Sequence, residues 1–120
     1  MANHTDFGRL AEDRAVDYLH KKGYLILERN FRYLKAEIDI IAEFKGEIII
    51  VEVKARNSDY FSNPEEAVNM KKRKLLILAS NYYIESKGLN VEVRFDIITF
   101  ITKNKVLEIK HIENAFDSIH

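Results

Sequence analysis

The sequence predicts an α/β domain: a mixed five-stranded sheet flanked by helices, in the order α-β-β-β-α-β-β, with residues 1–120 forming a single domain. Three observations lead there. Two segments carry apolar residues at helical spacing, and five carry β-branched runs or alternation. The run Ile48-Ile49-Ile50-Val51 is apolar at successive positions, as a central strand covered on both faces requires. The longer helical segment falls between the third and fourth strands, and such a crossover makes those strands parallel if they are neighbours.

Asp6 to Lys22 reads as the first helix, with Thr5 as its N-cap and Gly23 as its stop. Phe7, Leu10, Ala11, Ala15, Tyr18 and Leu19 form its apolar face. Tyr24 to Glu28 is the first strand. Glu37 to Phe44 and Glu47 to Arg56 are the next two, joined across Lys45-Gly46, and Asn57 to Asn63 is a polar loop. Asn63-Pro64 followed by Glu65 and Glu66 signals a helix start: a cap, a proline at the first helical position and acids in the first turn. That helix reaches Lys87 and stops at Gly88, with a break near Met70. Val91 to Phe100 and Val106 to Ile112 are strands, and Asn104 marks the turn between them.

Composition narrows the function classes. The chain is 47% hydrophobic and 32% charged, with few prolines and glycines, which describes a folded domain. No apolar run is long enough to span a bilayer, and the N-terminus lacks a basic-then-apolar signal pattern. A cytoplasmic location with no membrane partner is expected. No cysteine is present, so disulfides and thiolate metal sites are excluded. The four histidines are scattered, against a histidine-rich zinc site. The formal net charge is zero, so nucleic-acid binding would need a local patch rather than a bulk basic excess.

The charges that matter sit on the hairpin of the second and third strands. Side chains alternate along a strand, so Glu52 and Lys54 share a face, as do Glu37 and Asp39. A two-residue loop at Lys45-Gly46 sets Phe44 opposite Glu47. The same register sets Asp39 opposite Glu52, and Glu37 opposite Lys54, with Cβ atoms about 5 Å apart. Two opposed carboxylates repel, and burial pushes one toward protonation. A divalent cation binding both removes the conflict, and carboxylate oxygens suit Mg²⁺ or Mn²⁺. Lys54 then stands where it could stabilise a developing phosphorane or position the attacking water. A salt-bridged strand end, with Lys54 paired to Glu37 and Asp39 solvated, explains the same spacing.

Two helical residues point the same way. On a helical wheel Glu12 falls between Leu19 and Val16, beside the apolar face, where a carboxylate needs a partner. A third metal-site acid would account for it, as would a carboxylate reaching past the core edge to water. Lys72 falls among Val68, Leu75, Leu76 and Ala79, and either reaches a site at the end of the sheet or snorkels. The run Lys71-Lys72-Arg73-Lys74 is either a phosphate-contacting patch or a solvated helix face. Arg94 and Asp96 share a strand face and are expected to pair. The aromatic residues show no paired stacking platform for single strands. No phosphate-binding glycine loop, Ser-His arrangement or dinucleotide fingerprint occurs.

These residues lie within a longer resemblance. The chain resembles the YraN-like family of small bacterial proteins, through "GRLAEDRAVDYLHKKGYLILERNFR", "AEIDIIAEFKGEIIIVEVKAR", "EEAVNMKKRKL", "VRFDIITF" and "HIENAF". The resemblance implies a restriction-endonuclease-like core of the PD-(D/E)xK type, similar to archaeal Holliday junction resolvases. It implies that Asp39 is the metal ligand of the second strand, Glu52 and Lys54 the (D/E)-x-K pair, Glu12 the acid of the first helix, and Lys72 the lysine of the long helix. It further implies that Val53 lends its backbone carbonyl to the metal. Ala11 and Ala36 stand where the family usually has glycine, Ser62 where glycine commonly follows the loop phenylalanine, and Ile38 where the general nuclease motif has proline.

The resulting expectation is a metal-dependent endonuclease acting on DNA, of branched or otherwise processed structure. Asp39, Glu52 and Glu12 would hold Mg²⁺ or Mn²⁺, Glu12 directly or through water. Lys54 would complete the catalytic set, and Arg56, Lys72 and Arg73 would contact phosphates. Because resolvase-like relatives often work as dimers, a homodimer is also implied. The alternative is a non-catalytic DNA-binding or protein-interaction module that keeps the nuclease-like core.

Overall fold

The computed structural model describes residues 2–56 and 68–118, with side chains from Gly8 onward. Its elements follow the expected order: α1 (Ala2–Lys21), β1 (Leu25–Tyr33), β2 (Ala36–Phe44), β3 (Glu47–Arg56), α2 (Met70–Ser86), β4 (Val93–Lys103) and β5 (Val106–Phe116). The five strands form one sheet in sequence order. β3 and β4 are parallel, and every other neighbouring pair is antiparallel. The mixed sheet therefore has its single parallel pair where the crossover helix predicts it.

Each helix covers one face. Ala11, Ala15 and Leu19 recur at four-residue spacing along α1 and pack with Ile40, Ala42, Ile49, Val51 and Ile98. Leu76, Ala79 and Tyr83 of α2 pack on the other face with Ile41, Ile48, Ile50, Phe95 and Ile97. Ile48 to Val51 are all buried because β3 is central and carries a core on both sides. That four-residue run alone removes enough apolar surface to contribute several kcal/mol, at about 25 cal/mol per Å².

Element ends differ from the sequence expectation for local reasons. α1 begins at Ala2, so Thr5 lies inside the helix rather than capping it. It ends as expected at Gly23, whose φ of +93° lets the Tyr24 N–H close back on the Leu19 carbonyl at 3.0 Å. β1 runs on to Tyr33 because its polar second half, Arg29 to Tyr33, pairs with Ile40 to Ala36. A bulge between Ile26 and Glu28 interrupts the alternation that would have revealed this. α2 begins at Met70, with the Asn69 side chain accepting the Lys72 N–H at 2.9 Å. The expected helix start at Asn63-Pro64 and the loop containing Ser62 lie outside the described residues. β5 continues past Ile112 through a kink at Asn114 (φ +54°) and brings Phe116 onto Phe95, ring centroids 4.9 Å apart. Tyr33 of β1 stacks on Tyr82 of α2, ring centroids 4.1 Å apart.

Behind the α1 face, Arg94 and Asp96 pair as expected, with Arg94 donating from Nε at 2.9 Å and from Nη2 at 2.8 Å. The structure adds partners that spacing does not reveal. His111 Nε2 lies 2.7 Å from Asp96 Oδ2, Asn114 donates its N–H at 3.0 Å, and Arg94 also reaches the Tyr24 hydroxyl. Burial would raise the Asp96 pKa, but the His111, Arg94 and Asn114 hydrogen bonds outweigh it and hold the carboxyl below its ordinary value.

Candidate active site

The hairpin turn has the expected geometry. Lys45 and Gly46 both take positive φ, +51° and +83°, as a two-residue type I′ loop requires. The ladder then runs in the predicted register from Phe44–Glu47 to Ile40–Val51. There it stops, one position before Asp39 and Glu52. In place of a main-chain bond, Asp39 Oδ2 accepts the Val53 N–H at 2.8 Å. A side chain has taken over a ladder partner, so the strands part and the two carboxylates face a cleft between them.

Glu52 is only 3% exposed. Its Oε2 lies 3.4 Å from Lys54 Nζ and 3.4 Å from Lys72 Nζ. Its Oε1 is buried with no hydrogen-bond partner, an arrangement that is costly unless something occupies it. Asp39 is pushed up to about 8, first by burial and then by the Glu52 charge. The Glu12 charge adds to the rise, while the Val53 N–H and Lys72 oppose it. The conflict between two opposed carboxylates, inferred from register, is therefore present.

Glu12 enters from α1. Its side chain is 16% exposed, with Oε1 receiving Asn30 Nδ2 at 3.0 Å and Arg29 Nη2 at 3.4 Å. Arg29 also grips Asp13 at 2.6 Å. Asn30 adopts φ +54°, which turns its amide toward the helix acid. Glu12, Asp39, Glu52 and Lys54 all line one open cleft of about 750 Å³, with Arg9, Arg29 and Arg32 beside them. Acids lie with a basic border, which is the polarity a phosphodiester bound through a cation would meet.

The remaining expected residues, Lys72, Arg73 and Arg56, are not among those that line this cleft. Lys72 meets Glu52 from α2, closing the site from the opposite face of the sheet to α1. Arg73 turns to the Val68 carbonyl at 2.9 Å and lies over the Phe116 ring. Arg56, at the end of β3, reaches the neighbouring Ala55 carbonyl at 3.3 Å. The salt-bridged alternative takes a different form here: Glu37 faces Arg32 at 3.6 Å, and Lys54 faces Glu52 instead of Glu37. Arg29, Arg32 and Asn30 were missed in sequence because they lie on the half of β1 that reads as loop. The two arginines of "ERNFRY", three residues apart, are the signal that points to them.

Among the described residues, no group of three or more His, Asp or Glu side chains is gathered closely enough to hold a metal ion. The site offers a pair, Asp39 and Glu52, with one buried Glu52 oxygen unpartnered. An oxygen-ligated divalent cation that keeps several waters fits a pair of this kind.

The model of the Uncharacterised protein family UPF0102 matches residues 11–100, which spans the helix acid, the hairpin and the long helix. The chain belongs to the UPF0102 family. This is the YraN-like family that its motifs resemble. The UPF0102 protein of Flavobacterium psychrophilum is 47% identical over 116 residues, covering 97% of this chain and 98% of the relative. That of Christiangramia forsetii is 47% identical over the same shares. That of Persephonella marina is 46% identical over 111 residues, 92% of each chain. The family's description assigns no reaction. Among the described residues no helix is long and apolar enough to cross a membrane.

Proposed function

We propose that this UPF0102 protein is a metal-dependent endonuclease hydrolysing DNA phosphodiester bonds, with Mg²⁺ or Mn²⁺ held by Asp39 and Glu52. One observation carries the reading: a buried Glu52 oxygen without a partner stands with a carboxylate whose pKa has risen to about 8. Neither feature stabilises the fold, and a cation between the acids relieves both. The Val53 carbonyl would supply a further oxygen, and Glu12 would act through a water.

Asp39 and Glu52 would hold the cation, which would supply Lewis acidity toward the phosphate and make an attacking water easier to deprotonate. The chain's own residues do the rest. The Val53 N–H fixes Asp39 in orientation. Lys54 stands beside Glu52 and is placed to orient the attacking water or to neutralise charge developing on the phosphate. Lys72 holds the same Glu52 oxygen from α2, so the other oxygen is left without a protein partner. Arg9, Arg29 and Arg32 line the cleft where flanking phosphates would lie, and Arg56, Lys72 and Arg73 would be further phosphate contacts outside its lining. DNA of branched or processed structure is the expected substrate class.

A second reading is favoured by a specific observation. Lys54 and Lys72 together balance the Glu52 charge without a metal, as a non-catalytic DNA-binding or protein-interaction module would need. Cleavage separates the two. Plasmid, linear duplex, single strand, four-way junction and RNA are incubated with Mg²⁺, Mn²⁺ or EDTA, beside Asp39→Ala and Lys54→Ala. The endonuclease cuts only with metal and loses cutting in both variants. A panel without cutting, together with no Mn²⁺ binding, would establish the module instead.

A further inference from the structure

Among the described residues β5 has one neighbour, β4, so one of its edges carries unpaired main-chain groups. The β4–β5 turn is a two-residue loop, Asn104-Lys105, with φ of +50° and +64°. Such a turn makes Lys103–Val106 a hydrogen-bonded pair, and the ladder alternates from there. Val106, Glu108, Lys110 and Ile112 therefore bond inward to β4. Leu107, Ile109 and His111 aim their N–H and carbonyl groups outward. This edge is regular from Val106 to Ile112, and the register shift comes only beyond Ile112. The opposite edge of the sheet, β1, is broken by a bulge after Ile26 and a left-handed Asn30.

The side chains along this edge are unusual for one left to water. Val106 is 59% exposed, Leu107 40% and Ile109 42%. Long flat edges bearing apolar side chains are sites where another chain adds as a strand. The sequence of β5 also matches itself in reverse. When two copies pair antiparallel about Ile109, each Glu108 stands opposite the other copy's Lys110. Val106 stands opposite Ile112, and Ile109 opposite itself. In that register Ile109–Ile109 and Leu107–His111 fall on the outward-facing main-chain groups, so they become the hydrogen-bonded pairs. Glu108–Lys110 falls on the closer, non-hydrogen-bonded positions, where cross-strand charge pairing is strongest. Charge, apolar contact and main-chain polarity agree on one register, as an isologous two-fold interface demands.

We infer that β5 is a homodimerisation edge: two copies of this chain join antiparallel through Val106–Ile112, centred on Ile109, to form a continuous ten-stranded sheet. The inference does not rest on the proposed reaction. The candidate active site lies on β2 and β3, away from this edge, and stays open in such a dimer.

The test is sedimentation velocity of the full chain across a concentration series, with circular dichroism to confirm folding. The wild-type chain sediments as a dimer that dissociates on dilution. Glu108→Lys sets like charges opposite Lys110, and Lys110→Glu sets like charges opposite Glu108. Each weakens dimerisation at least about tenfold, while the double exchange Glu108→Lys/Lys110→Glu restores it. The residues that face these two across β4, Ile101 and Thr99, carry no charge, so the exchange acts between copies. Ile109→Pro removes an outward N–H without touching the β4 ladder and yields a folded monomer. A wild-type monomer at the highest soluble concentration overturns the inference. So does a dimer indifferent to the single charge reversals, or one that the double exchange fails to restore.

Discussion

Lys72 of α2 and Lys54 of β3 approach the same oxygen of Glu52, each at 3.4 Å, and leave the other oxygen without a partner. Their relationship divides the labour on one buried carboxylate. Lys54 also lines the cleft, whereas Lys72 comes from the helix behind it. Lys72→Met is therefore expected to lower cleavage by roughly 10-fold through loss of Glu52 positioning, and Lys54→Met by roughly 100-fold or more. Single-turnover rates with saturating Mn²⁺ compare the two, and equal losses would contradict the division.

Asp39 makes stability depend on pH in a definite direction. Its folded pKa, about 8, is above the ordinary carboxyl value of 3.8, so the native state holds a proton that the unfolded chain has released. More protons bound in the native state means that stability falls as pH rises from about 4 to about 8. Urea unfolding in EDTA across that window should show the decline, and Asp39→Asn should flatten it. The amide still accepts the Val53 N–H, so at pH 9 this variant is expected to be more stable than wild type by on the order of 2 kcal/mol.

Divalent metal should reverse the decline. A cation held by Asp39 and Glu52 requires both ionised, so its affinity rises with pH through the Asp39 titration and binding releases a proton. At about 100 times its dissociation constant, Mn²⁺ adds about 2.7 kcal/mol to unfolding. Thermal shifts at pH 6 and pH 8.5 measure both effects. A shift that is unchanged in Asp39→Ala and Glu52→Gln would place the cation elsewhere.

Asp96 behaves oppositely. Its carboxyl is buried yet held below its ordinary pKa, so its contribution is full above the unfolded value near 3.8 and is lost as pH falls through the folded value. Removing the charge leaves Arg94 and His111 facing a weaker acceptor in a dry setting. Asp96→Asn is expected to destabilise by about 2–4 kcal/mol, with the cost shrinking below pH 4. Chemical denaturation at pH 7 and pH 3 checks this, and cleavage by the folded fraction should stay near wild type.

Much of this protein is written locally. The hairpin register follows from Lys45-Gly46, because a two-residue turn with two positive φ values admits one pairing. Parity then puts Asp39, Glu52 and Lys54 on one face. The Ile48–Val51 run marks β3 as central, since only a strand covered twice can hide four successive apolar residues. Glu12 and Lys72 betray themselves by lying beside apolar stripes. What the chain alone does not state are the terms that depend on distant partners. The ladder ends at Ile40 because Val53 donates to a carboxylate rather than to a carbonyl. Arg29 and Asn30 become site residues because the polar half of β1 finds β2 to pair with, and so comes to face α1. Asp96 meets His111 only when β4 and β5 pair, and Glu52 meets Lys72 only when α2 packs across the sheet. Periodicity is set by neighbours in the chain, but burial, and with it the cost or benefit of each charge, is set by what folding brings against them.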